Sequence, residues 1–208
     1  MGAAAVEQSV EMAQPGVHRR LRTTVLDSLR EVRYMPESVL HARRRAAAEV
    51  QLKNVAPGNV LFVCHGNICR SPFAAAVFAR SLPPAISRSI TTRSGGFLGA
   101  GRTPPARALA TGSRLGVDMS AHRSAPITPE SVRAADLVVV MSEEQARAVR
   151  PSMRADAVVL VLGDLDPLPA KRRTILDPWD GDAHAFEVSY ARIERCVREL
   201  ARLVIPRP

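Results

Sequence analysis

The sequence predicts an α/β domain with a parallel sheet, preceded by a basic helical extension. Three observations carry that prediction. Short apolar runs of strand length recur between residues 59 and 162. Stretches with apolar residues at helical spacing separate them, the alternation that builds βαβ units. The composition is globular: 208 residues, 46% hydrophobic and 24% charged, enough chain to bury a core without disulfides.

Residues 1–57 form the extension and residues 58–208 the main domain. Residues 1–16 are small and polar, end on Pro15-Gly16 and read as disordered. Leu21, Val25, Leu26, Leu29 and Val32 then recur at helical spacing until Pro36, which pushes the residue before it out of the α region. A second helix is expected from about Ser38 to Leu52, with Arg43, Arg44 and Arg45 near its middle. Ala56-Pro57-Gly58 punctuates the chain before the main domain.

From there, Val60–Val63 reads as a buried strand, and residues 72–81 as a helix burying Phe73, Val77 and Phe78. Ser89–Arg93 alternates like a strand. Pro104–Leu115 is a helix opened by prolines and closed by Gly116. Asp136–Met141 and Ala157–Leu162 are two more buried strands, with a helix over Glu143–Val149 between them. Residues 163–182, rich in Gly, Pro and Asp, form a long loop of the kind that carries function. Ala183–Ile205 is the last helix, with Phe186, Val188, Ile193, Val197 and Leu200 available for burial and Cys196 on its apolar side.

The same chemistry excludes several classes. No apolar run approaches a membrane span, and the first residues lack the apolar region of a secretory leader. Val6 stands where a myristoylation signal wants Ser or Thr. Three cysteines make no disulfide framework, and no histidine pair has metal-ligand spacing. A cytoplasmic protein without metal or cofactor is expected. The net charge of +9 admits nucleic acid or an anionic surface as a partner. Yet Lys53 and Lys171 are the only lysines, and abundant Ala and Arg together read as composition bias, so no nucleic acid is expected. The extension's basic, amphipathic helices either pack on their own domain or contact an acidic partner or membrane surface.

The sharpest feature is Val63–Pro72, VCHGNICRSP. It follows a buried strand and precedes a helix, where an open α/β sheet places its ligand. Cys64 and Arg70 enclose His65, Gly66, Asn67, Ile68 and Cys69. Such a loop can wrap a phosphate with backbone N–H groups while the following helix directs its positive end at the same point. Arg70 offers a planar fork for two phosphate oxygens. The positive field favours a thiolate on Cys64.

This loop resembles the active-site loop of the low-molecular-weight protein tyrosine phosphatases. The resemblance extends over nearly all of residues 59–205: Ser94-Gly95 after the second strand, Gly101-Arg102-Thr103-Pro104, Ser120-Ala121-His122-Arg123, and Asp177-Pro178 followed by Phe186-Glu187. It implies an open, mostly parallel four-stranded sheet flanked by helices on both faces. It also implies Cys64 as the nucleophile that becomes a phosphocysteine, Arg70 as the phosphate ligand and Asp177 as general acid and then base. Asn67, Ser71, Ser94 and His122 match the hydrogen-bond network that shapes the loop. Cys69 matches a second loop cysteine able to form a protective disulfide with Cys64, although inert packing would also account for it. His65 contacts substrate or faces solvent.

The sequence departs from the family in places. Trp179 and Asp180 follow Pro178 where tyrosines are usual, and Trp179 still supplies an aromatic wall. The opposite wall falls at Phe97 or Leu98. Met141-Ser142 replaces a common Met-Asp. The implied substrate is phosphotyrosine in a protein, a tyrosine kinase among the candidates. Three alternatives stand beside it. An arsenate reductase on this fold needs two further cysteines that residues 130–170 lack. An arginine phosphatase carries Thr where Ile68 stands. A non-catalytic phosphate-binding module would not need Cys64, Arg70 and Asp177 together.

Overall fold

Val60–Val63 is buried on both of its faces because the strand that contains it, β1 (Asn59–Cys64), lies inside the sheet. In the computed structural model, which describes residues 37–53 and 55–205, four parallel strands run in the order β2-β1-β3-β4. β2 is Thr91–Gly96, β3 Leu137–Val140 and β4 Val158–Val161. Registers are regular: Cys64 stands opposite Gly96, and Val63 opposite Val140. The helices are α1 (Glu37–Leu52), α2 (Arg70–Ser81), α3 (Pro84–Ser87), α4 (Ala106–Arg114), α5 (Pro129–Arg133), α6 (Glu143–Val149) and α7 (Ala183–Val204). The expected disordered start and first helix of the extension lie outside the described residues.

Strand period 2 distributes the apolar residues to two layers. Val60, Phe62, Leu137 and Val139 pack with Phe73, Val77 and Phe78 of α2 and Tyr190, Ile193 and Val197 of α7. Leu61, Val63, Val138 and Val140 face the other way, onto Val132 of α5 and Ala146 and Val149 of α6. Helices therefore cover both faces. Because β1 leads to β2 on one side and lies beside β3 on the other, the crevice at its carboxyl end is a topological switch point.

The compact unit containing the sheet begins at Glu37. Ala48 and Leu52 of α1 are buried in the larger core cluster, so this helix of the extension packs onto the domain rather than standing away from it. Among the described residues no helix is long and apolar enough to cross a membrane.

Three sequence expectations shift. β2 begins at Thr91 and runs through Gly95 and Gly96, because pairing with β1 holds glycines that have little strand propensity of their own. The short helices α3 and α5 and the 3-10 turn Leu162–Leu165 have too few residues for a periodic signal. Val188 is 55% exposed. The buried stripe of α7 runs through Phe186, Tyr190, Ile193, Val197 and Leu200, and a residue two positions after Phe186 points nearly opposite.

Candidate active site

The loop from Cys64 to Arg70 closes on itself. Asn67 is the one non-glycine among the described residues with a left-handed backbone, φ 51°. Asn tolerates that region, and its side chain does the shaping. Asn67 Nδ2 donates to Ser71 Oγ and to Ser94 Oγ, both at 2.9 Å, while its Oδ1 accepts from the Ala125 amide at 2.8 Å. His122 Nε2 donates to the Asn67 carbonyl at 2.7 Å. The Asn67 amide and the Ser71 hydroxyl both donate to Cys64 Sγ, at 3.2 and 3.1 Å. Two donors aimed at one sulfur support negative charge there. Asn67, Ser71, Ser94 and His122 are thus brought together around one loop.

Gly96 is required for the same geometry. A Cβ on it would stand 2.8 Å from the Asn67 nitrogen and 2.9 Å from the His65 carbonyl oxygen. Only glycine lets the end of β2 come this close. The motif Ser94-Gly95 does not include Gly96, for which the doubled glycine at a strand end is the sequence signal.

Arg70 is the first residue of α2 and is buried. Its Nη1 donates to the Ile175 carbonyl at 3.1 Å, and its Nη2 to Asp177 Oδ2. Its Nε is buried with no hydrogen-bond partner among the described residues, a donor left to be satisfied. Asp177 is more open than Arg70, with 40% of its side chain exposed against 5%. The carboxyl thus stands at the edge of the site and the guanidinium inside it.

Cys64, Ile68, Arg70, Asp177, Trp179 and Leu98 line one cavity of about 320 Å³, with His65, Gly66, Cys69, Arg102 and Asp180. Of the two candidate wall residues Leu98 lines it and Phe97 does not; the Phe97 amide instead donates to the His65 carbonyl at 2.9 Å. Trp179 is half exposed at the rim. Arg102 was not singled out from the sequence. Its guanidinium carbon lies 5.9 Å from the Trp179 ring centre, and its Nη1 is buried beside Gly66. Nothing in a Gly-x-x-Pro spacing marks the intervening residue as a cavity wall.

The other two thiols are buried. Burial pushes Cys69 up to about 12, with the negative charges of Asp177 and Cys64 adding to it. Burial does the same to Cys196, to about 12. Tyr190 stacks on Phe73 with ring centres 4.1 Å apart, and its hydroxyl donates to the Cys69 carbonyl at 3.1 Å, supporting the loop from beneath. Ser142, in place of the common Asp, caps α6 by accepting from the Gln145 amide. Among the described residues no group of three or more His, Cys, Asp or Glu side chains is placed to hold a metal ion.

The domain that carries this cavity is similar to known proteins. The family model "Low molecular weight phosphotyrosine protein phosphatase" matches residues 59–205. The human low molecular weight phosphotyrosine protein phosphatase is 35% identical over 147 residues, 67% of this chain and 91% of that protein. The low molecular weight protein-tyrosine-phosphatase of Acinetobacter johnsonii is 31% identical over 143 residues, 68% of this chain and 94% of that one. Among solved structures, Vibrio vulnificus Wzb in complex with benzylphosphonate superposes with a TM-score of 0.60 at 25% identity, covering 70% of this chain and 97% of that chain.

Proposed function

The chain belongs to the low molecular weight phosphotyrosine protein phosphatase family, and on that premise we propose that it hydrolyses phosphotyrosine in proteins through a phosphocysteine on Cys64. The observation that carries the reading is the convergence of Cys64, Arg70 and Asp177 on one cavity that Ile68, Leu98 and Trp179 also line. Benzylphosphonate, bound by the Vibrio relative, is an aryl phosphate mimic of the size such a cavity admits.

In this reading the phosphate sits in the 64–70 loop against its backbone amides and the start of α2. Arg70 turns its Nε and Nη2 to two phosphate oxygens, and Nη2 leaves Asp177 to do so. The Cys64 sulfur then attacks phosphorus, forming an S–P bond as the P–O bond to the phenol breaks. Asp177, parted from Arg70 and protonated in the second step of the previous turnover, gives that proton to the departing oxygen. In the second step water attacks phosphorus, Asp177 takes its proton, the S–P bond breaks, and inorganic phosphate and the thiolate are regenerated. Catalysis is mainly positioning and charge stabilisation, as phosphoryl transfer requires.

Leu98, Ile68 and Trp179 would flank the phenyl ring, which favours an aryl over an alkyl phosphate. Ile68 offers no polar partner to a guanidinium, which favours tyrosine over arginine. A cytoplasmic phosphotyrosine protein, a tyrosine kinase included, is the substrate class. The test is direct. Acid quenching during turnover of a phosphotyrosine peptide should trap a phosphoryl group on the Cys64 peptide, and the matching phosphoserine peptide should turn over far more slowly. A phosphoryl group elsewhere, or none, would overturn the assignment.

A further inference from the structure

α1 lies outside the matched family region, 59–205, yet several of its polar side chains bond to the root of the loop that carries Asp177. His41, itself buried, donates from Nε2 to the Asp166 carbonyl at 2.9 Å. Arg45 Nη1 donates to the same carbonyl at 3.2 Å, and its Nη2 to Glu199 of α7 at 2.6 Å. Arg44 Nη2 reaches the Ala170 carbonyl, four residues further along the loop, at 3.2 Å.

Asp166 relays that grip onward. Its side chain is fully buried, and its carboxylate accepts from Arg195 Nε at 2.7 Å and from Arg192 Nε at 2.8 Å. Arg192 then spends its other two nitrogens on the outgoing limb of the loop, donating to the Thr174 carbonyl at 2.9 Å and the Arg172 carbonyl at 2.6 Å. Thr174 stands three residues before Asp177. The path from α1 to the acid is therefore two hydrogen-bonded links, Asp166 and Arg192, both buried or nearly so. A buried carbonyl is costly to leave unpaired. Removing the α1 donors therefore shifts Asp166, and Asp166 cannot shift without disturbing the guanidinium that holds Thr174.

We infer that α1 is a brace for the acid loop, with His41 and Arg45 as positioning residues that set where Asp177 stands relative to the leaving group. The inference rests on the reading of Asp177 as general acid. It assigns residues of the extension a part in turnover while leaving phosphate binding to the 64–70 loop.

The test uses the full chain carrying His41→Ala and Arg45→Ala, assayed on aryl phosphates of graded leaving-group quality. Turnover of the poorest leaving group should fall roughly tenfold, and p-nitrophenyl phosphate about twofold at most, because a good leaving group needs little protonation. KM and inhibition by inorganic phosphate should stay unchanged. His41→Gln, which keeps a donor at the same reach, should restore most of the loss. Trp179, the chain's single tryptophan, reports the loop without any chemistry: its quenching by acrylamide should rise in the double variant. Equal slowing across the series, a KM effect alone, or unchanged quenching overturns the brace. If Asp177→Asn itself leaves the series flat, the acid assignment fails instead, and the quenching result alone decides the brace.

Discussion

The two loops that meet at the cavity are held by different kinds of group. The loop from Cys64 to Arg70 is held by short polar side chains and backbone groups: Asn67 and Ser71 bond to each other and to Cys64, and Ser94, Ala125 and His122 bond to Asn67. The loop after β4 does not rest on short polar side chains of this kind. Arginines from distant elements hold it instead: Arg192 and Arg195 of α7, Arg45 of α1, and Arg70 itself. Within it Arg173 pairs with Asp164 and also reaches Glu143 of α6. The difference fits the chemistry. A phosphate cradle works best as a fixed array of dipoles, which needs no reorganisation as charge develops. An acid that must part from Arg70 to meet a leaving group, the role proposed for Asp177, needs a loop fastened at its root and adjustable near its tip.

Substitutions in the two loops should separate along this line. The largest effect is expected for Cys64→Ser, a loss of at least about a thousandfold in turnover for every aryl phosphate. Phosphate binding measured by titration calorimetry should survive, because Arg70 and the amides remain. Next is Asp177→Asn, which should slow substrates with poor leaving groups by roughly 10²–10⁴-fold and p-nitrophenyl phosphate far less. Uniform slowing would place Asp177 with the cradle and erase the contrast.

Asp166→Asn attacks the fastening of the acid loop. Breaking a buried ion cluster of this kind costs about 3–5 kcal/mol in a denaturant titration. Burial alone would raise the Asp166 carboxyl, but hydrogen bonds from Arg195, the Leu168 amide and Arg192 hold it below the usual carboxylate range. A depressed carboxyl stabilises the fold fully above that range and loses the contribution as pH falls through its lower folded value. Melting curves of the two proteins should therefore differ at neutral pH and converge below about pH 4.

Gly96→Ala attacks the cradle from outside. With the new Cβ 2.8 Å from the Asn67 nitrogen, the loop must shift, at about 1–3 kcal/mol of stability. All leaving groups should suffer alike, and inhibition by phosphate should weaken; a change in leaving-group dependence would contradict the separation. The smallest perturbation is chemical. Iodoacetamide near neutral pH should modify Cys64, with inorganic phosphate protecting it, and should leave Cys69 and Cys196 intact until the protein unfolds, since burial pushes both thiols up to about 12.

Much of this was legible beforehand. The four strands, the long helices and the order of the motifs follow from periodicity and punctuation, which are local properties of the chain. Cys64, Arg70 and their loop are legible for the same reason: a strand, a tight turn and a helix start are consecutive in sequence, so their geometry follows from neighbours. The extent of β2, the burial stripe of α7 that leaves Val188 outside, and Leu98 rather than Phe97 on the cavity wall depend on packing partners that no local pattern names.

The sequence by itself determined the alternation of strands and helices, the strand-turn-helix setting of Cys64–Arg70 and the chemical types that loop carries. Only the tertiary structure decided what holds the acid. Asp177 meets Arg70 across 107 residues of chain, and His41 meets Asp166 across 125. Twenty-seven arginines are available for such pairs, and composition cannot say which of them reach a carbonyl and which face water. Backbone periodicity is dictated over a few residues, whereas a buried ion cluster forms only where the packed core has already brought its members within hydrogen-bond reach.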